Sequence, residues 1–193
     1  MAKIHWKGST LLAPVPPALV TCARGEEKNI ITIAWTGILN SQPPKTYISV
    51  RPTRHSYEMI SDSREFAINL TSKSLVRAAD WCGVYTGAKV DKFARCHLTP
   101  EPASEIAAPL IAESPLALEC RVTDTVDLGS HTMFIADIVA VDADESLLDA
   151  DGKLCIDRAD LVSYAHGDYY ELGKRLGKFG FSVAKKKKPA KKS

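Results

Sequence analysis

Two long apolar runs, at residues 116–128 and 131–143, constrain the fold of this chain more than any other feature. Within the first run, apolar residues occupy every second position from 116 to 122, which is the period of a half-buried β-strand. The alternation predicts that Glu119 and Arg121 point outward. The stretch DLGSH between the two runs is typical of a turn. These runs therefore predict two long strands.

Four shorter runs have the same β-branched or alternating character and are bounded by Gly, Pro, Asn or Asp. They lie at 18–23, 29–39, 46–51 and 66–70. Helical patterns are fewer and shorter, at 55–63, 72–85 and 91–97. Because these helices are too short to cover a parallel sheet on both faces, the pattern predicts a mainly β fold, an antiparallel barrel with peripheral helices.

Charge and composition favour one domain with an appended tail. The chain has 193 residues, of which 45% are hydrophobic, enough for one sizeable core. Its last nine residues, KKKKPAKKS, hold six lysines, so residues 1–184 carry 19 basic and 23 acidic residues, a net charge of −4. We expect a folded domain at 1–184 and a disordered lysine-rich tail at 185–193. The tail either attracts nucleic acid or an acidic partner, or only aids solubility.

The distribution of apolar residues and cysteines predicts a cytoplasmic protein. No apolar run approaches the roughly 20 residues of a membrane helix, and MAKIHWKGST lacks the apolar centre of a secretory signal. The five cysteines are an odd number and form no CxxC pair, which argues against a disulfide framework or a four-cysteine zinc site. We therefore expect reduced and mostly buried thiols, and no bound metal.

The stretch VRPTRHSY, residues 50–57, has the features of an anion site. Pro52 predicts an extended turn after a strand, and Thr53 predicts the cap of a helix over about 54–63. Helix N-termini attract anions through free N–H groups and the positive end of the dipole. The donors that could join them are Arg51, Thr53, Arg54 and Ser56. The alternative interpretation is a helix cap beside surface arginines.

The run at 29–39 suggests a surface for a flat ring. Thr32, Ala34 and Thr36 place small and polar groups on one face of the predicted strand. A redox flavin needs such a surface, where backbone groups and small hydroxyls meet the ring edge. Trp35 either borders the ring or lies in the core.

A resemblance to a known family is carried by a series of stretches in a fixed order. They are NIITIAWTGILNSQPPKTYISVRPTRHSYEMISDSREFAINL, ADWCGVYTGAKVDKF, APLIAESPLALEC and GSHTMFIADI. Together they span about residues 10–180 and resemble the flavin reductase-like family of FMN-binding split barrels, especially its flavoredoxin branch. The resemblance implies a six-stranded antiparallel split barrel, a homodimer, and non-covalent FMN with its phosphate at the turn and helix start described above.

Matching residue by residue, the resemblance implies a set of cofactor contacts from two strands, a turn and a later segment. They are Thr32, Ala34, Trp35, Thr36, Ser49, Val50, Arg51, Arg54, Ser56, Lys92 and Phe93. Asp91 is predicted to be a helix cap. In the family turn Gly129–Ser130–His131, the histidine is expected beside the nicotinamide or substrate, and the alternative is a turn histidine that bonds the backbone. His166 and Tyr169, in YAHGDYYELG, are expected to cover the site.

The resemblance further implies an NAD(P)H-dependent FMN oxidoreductase. Hydride transfer between stacked rings needs no side-chain acid or base, and the absence of GxGxxG agrees with transient nicotinamide binding over the flavin. The expected acceptor is free flavin or a redox partner protein. Two alternatives are an FMN electron carrier without appreciable NAD(P)H turnover and a flavin-binding protein with no turnover. A third is a nucleic-acid-binding protein that acts through its tail.

Overall fold

A computed structural model of the chain describes residues 1–184, so the predicted tail at 185–193 lies outside the described residues. The strands are β1 Ala18–Arg24, β2 Glu27–Ile33, β3 Thr36–Ser41, β4 Pro44–Val50, β5 Glu65–Leu70, β6 Pro100–Glu101, β7 Leu110–Ile111, β8 Leu116–Asp127, β9 Thr132–Ala143, β10 Val162–Ala165 and β11 Asp168–Glu171. The helices are α1 His55–Ser63, α2 Val76–Val84 and α3 Lys92–Cys96. Single 3₁₀ turns lie at Lys73–Leu75, Glu145–Leu147, Ile156–Arg158 and Phe181–Val183.

Seven strands form one antiparallel sheet in the order β2-β1-β5-β8-β9-β4-β3. Strands β2 and β3 lie at opposite ends of this order, yet only Ala34 and Trp35 connect them. Three Cα–Cα steps of about 3.8 Å reach at most about 11 Å. The sheet must therefore curl until its edge strands β2 and β3 meet at the Ala34–Trp35 link, and the resulting barrel is split beside this link, where the ends of β2 and β4 border a cavity.

The prediction of a mainly β fold with peripheral helices is confirmed, but the sheet has seven strands and not six. The run at 29–39 is two strands, because its pairing partner changes within it. Ile33 pairs with Ala18 of β1, whereas Thr36 pairs with Ile48 of β4. A break at residues 34 and 35 makes this change of partner possible, and periodicity alone does not show it.

The longest predicted strands form the hairpin β8–β9, closed by the DLGSH turn. The backbone N–H of Leu128 donates a hydrogen bond of 2.8 Å to the carbonyl oxygen of His131. Two register irregularities, one between Glu119 and Cys120 and one between Val122 and Asp124, add curvature to this pair. The turn therefore places His131 at the end of the barrel where β4 also ends.

Alternate residues of β1 enter two separate cores. Val20 packs inside the barrel against residues such as Phe66 and Phe134. Leu19 points to the outer face and packs against α2 and α3. The period of two in the strand thus fixes both helices beside β2, next to the split.

The predicted outward direction is correct for both Arg121 and Glu119, because the barrel interior is filled by the alternate residues Cys120 and Val122. Arg121 is exposed on this outer face, whereas the side chain of Glu119 has no exposed surface. The segment at 103–108 folds over this face of the sheet. Glu119 accepts hydrogen bonds from the backbone N–H groups of Ser104, Glu105 and Ile106 at 2.8, 2.7 and 3.1 Å. Burial acts to raise the pKa of Glu119, but hydrogen bonds from Ser104 and Glu105 outweigh it and hold the pKa below its usual value. The carboxylate anchors this segment.

Helix α1 is preceded by a different cap from the one predicted. Its N-cap is Arg54, in extended conformation, and within residues 1–184 no side chain caps the helix. Thr53 lies in the turn that the Arg54 N–H closes by donating to the Arg51 carbonyl at 3.0 Å. The prediction that Asp91 caps a helix is confirmed, because its carboxylate accepts a hydrogen bond from the Ala94 N–H at 3.1 Å.

The cysteines and helices of residues 1–184 bear on two further expectations, the state of the thiols and the absence of a membrane span. All five cysteines are free, three of them buried and two half-buried. In this part of the chain, no helix combines the length and apolar character needed to cross a membrane.

Candidate functional site

Two adjoining cavities lie at the split of the barrel. The first, of about 350 Å³, is bounded by the end of β2, the Ala34–Trp35 link, the end of β4, α2 and the hairpin β10–β11. The second, of about 200 Å³, lies between the start of α1, the loop at 85–87 and α3. Ile31, Arg51 and Arg54 line both cavities, so the two form one elongated site.

The second cavity contains a buried cation. Lys92 is only 4% exposed, and its Nζ donates hydrogen bonds to the carbonyl oxygens of Ile30 and Cys82 at 2.7 and 2.8 Å. An ammonium has three donors, so one remains for another partner. Burial lowers the pKa of Lys92, and the charge of Arg54 lowers it further. Among the described residues that line this cavity none is a carboxylate, so the site has a positive charge without an acidic partner.

The start of α1 adds donors to the same cavity. Arg51, Thr53 and Arg54 line it, and the uncapped first turn of α1 begins directly after them. Ser56 is buried and accepts a hydrogen bond of 2.8 Å from Asn29 Nδ2. Backbone N–H groups, arginine side chains and Lys92 therefore converge on one small volume, as an anion requires.

Gly87 allows the loop at 85–87 to close over this cavity. A Cβ atom at position 87 would lie 2.1 Å from Oδ1 of Asn29. Only glycine therefore lets the loop approach Asn29, and Asn29 in turn orients Ser56. The stretch VYTGAK carries this glycine, but nothing local in it indicates that the loop meets β2.

The first cavity has a wall of small side chains. Thr32, Ala34, Ser49 and Val50 line it. The hydroxyl of Thr32 donates to the carbonyl oxygen of Ala79 in α2, which ties β2 to this helix. Small side chains leave the backbone of β2 and β4 close to whatever occupies the cavity.

An aromatic pair borders the open side of the first cavity. The ring centroids of Trp35 and His131 are 4.6 Å apart, with an angle of 37° between the planes. Trp35 is 42% exposed, so it is not a core tryptophan. Burial lowers the pKa of His131, as does the charge of Arg51, so the imidazole is neutral at pH 7. Its Nδ1 lies 3.0 Å from the hydroxyl of Ser130 and not against the backbone.

The hairpin β10–β11 also borders the first cavity. Tyr164 and Tyr169 line it, with ring centroids 5.2 Å apart. Burial raises the pKa of Tyr169 to about 12, and the nearby Asp80 of α2 contributes to the increase. Val15 pairs with Tyr164 through two backbone hydrogen bonds, which fasten the hairpin to the segment before β1.

The structure brings together most of the predicted site residues. Those that line one or both cavities are Thr32, Ala34, Trp35, Ser49, Val50, Arg51, Arg54, Ser56, Lys92, His131 and Tyr169. Three predicted residues line neither cavity. The hydroxyl of Thr36 donates a hydrogen bond to the Tyr47 carbonyl at 2.6 Å. Phe93 is a residue of α3 and is buried in the core between this helix and the sheet, and His166 is exposed at the hairpin turn.

Several lining residues were not predicted, among them Asn29, Asp80, Cys82, Gly83, Val84, Tyr85, Thr86, Gly87 and Tyr164. Most of them come from α2 and the loop that follows it. The stretch ADWCGVYTGAKVDKF covers these positions, but its helical pattern predicts only which face of the helix packs on the core. The face that borders the site depends on how α2 sits against β2.

Comparison with known proteins agrees with the geometry. The model of the flavin reductase like domain matches residues 11–173. Flavoredoxin of Desulfovibrio vulgaris (Miyazaki F) is 36% identical, with a TM-score of 0.88 over 95% of this chain and 100% of that one. Flavoredoxin from Methanosarcina acetivorans is 26% identical, with a TM-score of 0.85 over the same shares. An NADPH-flavin oxidoreductase of Streptomyces viridifaciens is 27% identical over 135 residues, 69% of each chain.

The curled sheet and its peripheral helices are those of the split-barrel flavin reductase fold. The chain belongs to the flavin reductase-like family, with flavoredoxins among its structural neighbours. The resemblance found in the sequence is confirmed.

Proposed function

We propose that this protein is an FMN-binding oxidoreductase that takes electrons from NAD(P)H and passes them through FMN to an acceptor. The observation that carries the proposal is the pair of joined cavities. One has a wall of small side chains beside backbone, and the other holds the buried Lys92 with no lining carboxylate among the described residues. The relatives named flavoredoxin and NADPH-flavin oxidoreductase support the same assignment.

The second cavity fits the phosphate of FMN. Lys92 has a free N–H, Arg51 and Arg54 line the volume, and α1 begins there without a side-chain cap. A phosphate would provide the negative charge that Lys92 lacks. Ser56 and Asn29, hydrogen bonded to each other at 2.8 Å, would form the inner wall.

The first cavity fits the ring system. Its volume of about 350 Å³ is in the range of small-molecule sites. Thr32, Ala34 and Trp35 would meet the ring edge through their backbone, and Ser49 and Val50 would support the other side. Thr36 and Phe93 would act indirectly, Thr36 by fixing β3 on β4 and Phe93 by supporting α3.

When bound, FMN supplies the electron-transfer chemistry itself. The residues of this chain then position the donor and exclude water. Trp35 and His131 border the open side of the cavity, where a nicotinamide would stack, and the neutral imidazole can pack there without a charge. Tyr169 and Tyr164 line the same cavity. No side chain needs to transfer a proton in this scheme.

We further propose a homodimer in the cytoplasm, with one domain over residues 1–184. Exposed apolar side chains lie at the site, with Val84 and Tyr85 at the end of α2, and on the edge strand β3, at Ile38 and Leu39. Exposed apolar patches are typical of an interface. A second subunit placed there would shield the flavin ring from solvent.

The acceptor distinguishes two candidate functions. A reductase gives electrons to free flavin, whereas a carrier gives them to a partner protein, as the likeness to two flavoredoxins suggests. The test is anaerobic stopped-flow reduction of the FMN-loaded protein by NADH and by NADPH, followed by turnover with added free flavin. Fast reduction and turnover that scales with free flavin identify a reductase. Tight FMN with slow reduction by both nucleotides identifies a carrier and contradicts the NAD(P)H part of the proposal.

A further inference from the structure

Two cysteines on neighbouring helices lie within contact distance of each other, and one of them, Cys82, also lines the second cavity. The Sγ atoms of Cys82, in α2, and Cys96, the last residue of α3, are 3.8 Å apart. They are 14 positions apart in the sequence, and this spacing matches no recognisable cysteine motif. Only the packing of α2 against α3 brings them together.

The two thiols differ in access. Cys82 is buried, whereas Cys96 is half-buried and lines a groove of about 310 Å³. That groove, here called the Cys96 groove, is also lined by Arg77, Trp81, Arg95 and His97. The guanidinium of Arg95 lies 5.7 Å from the centre of the Trp81 ring. A cationic groove around an accessible thiol attracts anionic thiol reagents.

We propose that Cys82 and Cys96 form a reversible disulfide, a redox-modified site in which Cys96 reacts first with an anionic low-molecular-weight disulfide. The structure supplies both requirements. The Cys96 groove provides access and positive charge, and the second sulfur lies 3.8 Å away. Closing this distance to the bond length of about 2.05 Å needs a small movement of Cys96 at the end of a five-residue helix.

The reaction is two successive thiol–disulfide exchanges. The Cys96 thiolate attacks one sulfur of the reagent, the reagent's S–S bond breaks, and one thiolate leaves. The Cys82 thiol then loses its proton to solvent and attacks the Cys96 sulfur, which releases the second thiolate. The two cysteines are oxidised by two electrons, and the reagent is reduced to two thiols. Burial raises the pKa of Cys82 to about 12, which agrees with its role as the second and slower thiol.

The bond would join the walls of the site. Helix α2 carries Asp80, Gly83 and Val84 of the first cavity, and α3 carries Lys92 of the second. The carbonyl oxygen of Cys82 itself accepts a hydrogen bond from Lys92. The proposed disulfide would therefore link two helices that together line both cavities.

The test is incubation of the purified full chain with glutathione disulfide, followed by thiol titration after denaturation and by intact-mass measurement. The chain has five cysteines, so oxidation should leave three titratable thiols and a mass lower by two hydrogens. Dithiothreitol should restore both values. Peptide mapping should place the new bond between Cys82 and Cys96.

Two variants provide controls. Cys96→Ser should keep its four thiols under the same treatment, whereas Cys155→Ser, which removes another half-buried cysteine, should lose two as the parent does. The proposal is overturned if the parent keeps five thiols, if Cys96 retains glutathione while Cys82 stays free, or if the mapped bond joins other cysteines. Because Cys96 is half-buried, its replacement by serine leaves the core intact, and circular dichroism checks this directly.

Discussion

Arg54 shows how one residue combines backbone and side-chain roles at the proposed phosphate site. It is the N-cap of α1, closes the turn to Arg51 through its N–H, and lines both cavities. Its side chain is exposed, so its interaction with a phosphate is screened by water and salt. The contribution of its charge should therefore be smaller than that of the buried Lys92.

Arg54→Ala should weaken FMN binding about tenfold, since the loss of one charge-assisted hydrogen bond at an exposed site is worth about 1.4 kcal/mol. The loss should shrink as the salt concentration rises. Fluorescence titration at low and high salt measures both effects. Arg77→Ala is the matched control, because Arg77 is exposed and lines neither cavity. Unchanged FMN affinity in Arg54→Ala would remove this residue from the phosphate site.

His131→Ala should raise KM for NAD(P)H, or slow flavin reduction, and leave FMN affinity unchanged. The imidazole borders the open side of the first cavity and packs on Trp35 at 4.6 Å. Because the ring is neutral, one lost hydrogen bond of about 0.5–1.5 kcal/mol corresponds to a change of roughly two- to tenfold. Steady-state and stopped-flow kinetics measure it. Loss of FMN itself would place His131 against the cofactor, and unchanged kinetics would make it only a turn residue.

At the scale of elements, α2 and the segment at 103–108 depend on contacts between distant parts of the chain. Helix α2 is tied to β2 by the Thr32 hydroxyl, and the segment at 103–108 is tied to β8 by Glu119. Both contacts place polar groups in buried surroundings, where an unsatisfied partner is costly. Such contacts fix where a peripheral element sits.

Glu119→Gln should destabilise the protein by about 1–3 kcal/mol, because its amide would face backbone N–H groups that need an acceptor. The corresponding decrease in Tm is several degrees. The pKa of Glu119 is lowered in the folded state, so its contribution is present above the ordinary glutamate pKa and is lost as pH falls through the folded-state value. Thermal unfolding across acidic pH measures this.

The matched control is Glu105→Gln, the same change on an exposed side chain of the segment that Glu119 holds. It should leave Tm and its pH dependence unchanged. Equal stability of Glu119→Gln and the parent at neutral pH would show that the segment is not anchored by this carboxylate.

The sequence predicted those elements whose pattern is local. The alternation along β8 and β9 and the pattern of α1 depend on neighbouring residues, and the structure contains all three. The outward direction of Glu119 was predicted, but its burial was not, because the covering segment lies fifteen residues away along the chain. The division of the run at 29–39 could not be predicted, since it depends on Thr36 pairing with Ile48.

In the candidate site, too, residues in local motifs were predicted and residues that depend on distant contacts were not. Arg51 and Arg54 were predicted from the turn and helix start that contain them, and Lys92 from the resemblance to the family; the structure places all three around one cavity. Asn29 and Gly87 were missed, because their role is a close approach between β2 and a loop. The periodicity of the sequence does not indicate that this loop contacts β2.

At the scale of the whole molecule, the curled sheet leaves its split, and the site within it, open to solvent on one side. Trp35 is 42% exposed, and Ile38 and Leu39 are exposed on β3. An isolated subunit would carry this apolar surface in water, which monomeric proteins rarely do. The arrangement favours a second subunit beside the split.

The protein should sediment as a homodimer of twice the chain mass of 21.0 kDa at micromolar concentration. An obligate interface of about 2,000 Å² or more should prevent the dimer from dissociating on dilution. Analytical ultracentrifugation over a range of concentrations, with and without FMN, measures this. A monomer at micromolar concentration in both states would contradict the proposed assembly.

The central claim is that the joined cavities bind a flavin with its phosphate at Lys92, and comparing the affinities for FMN and riboflavin tests it most directly. The two ligands differ only in the phosphate. The parent should prefer FMN by about a hundredfold or more, since several charge-assisted bonds are each worth about 1.5–3 kcal/mol. Lys92→Met should reduce this preference by about tenfold to a hundredfold and leave riboflavin affinity unchanged.

Lys89→Met, the same change at an exposed lysine that lines neither cavity, should behave as the parent. Isothermal titration calorimetry gives all six affinities under one set of conditions. The account predicts an FMN-to-riboflavin ratio that falls only in Lys92→Met. A ratio near one in the parent, or one that Lys92→Met leaves unchanged, would contradict it.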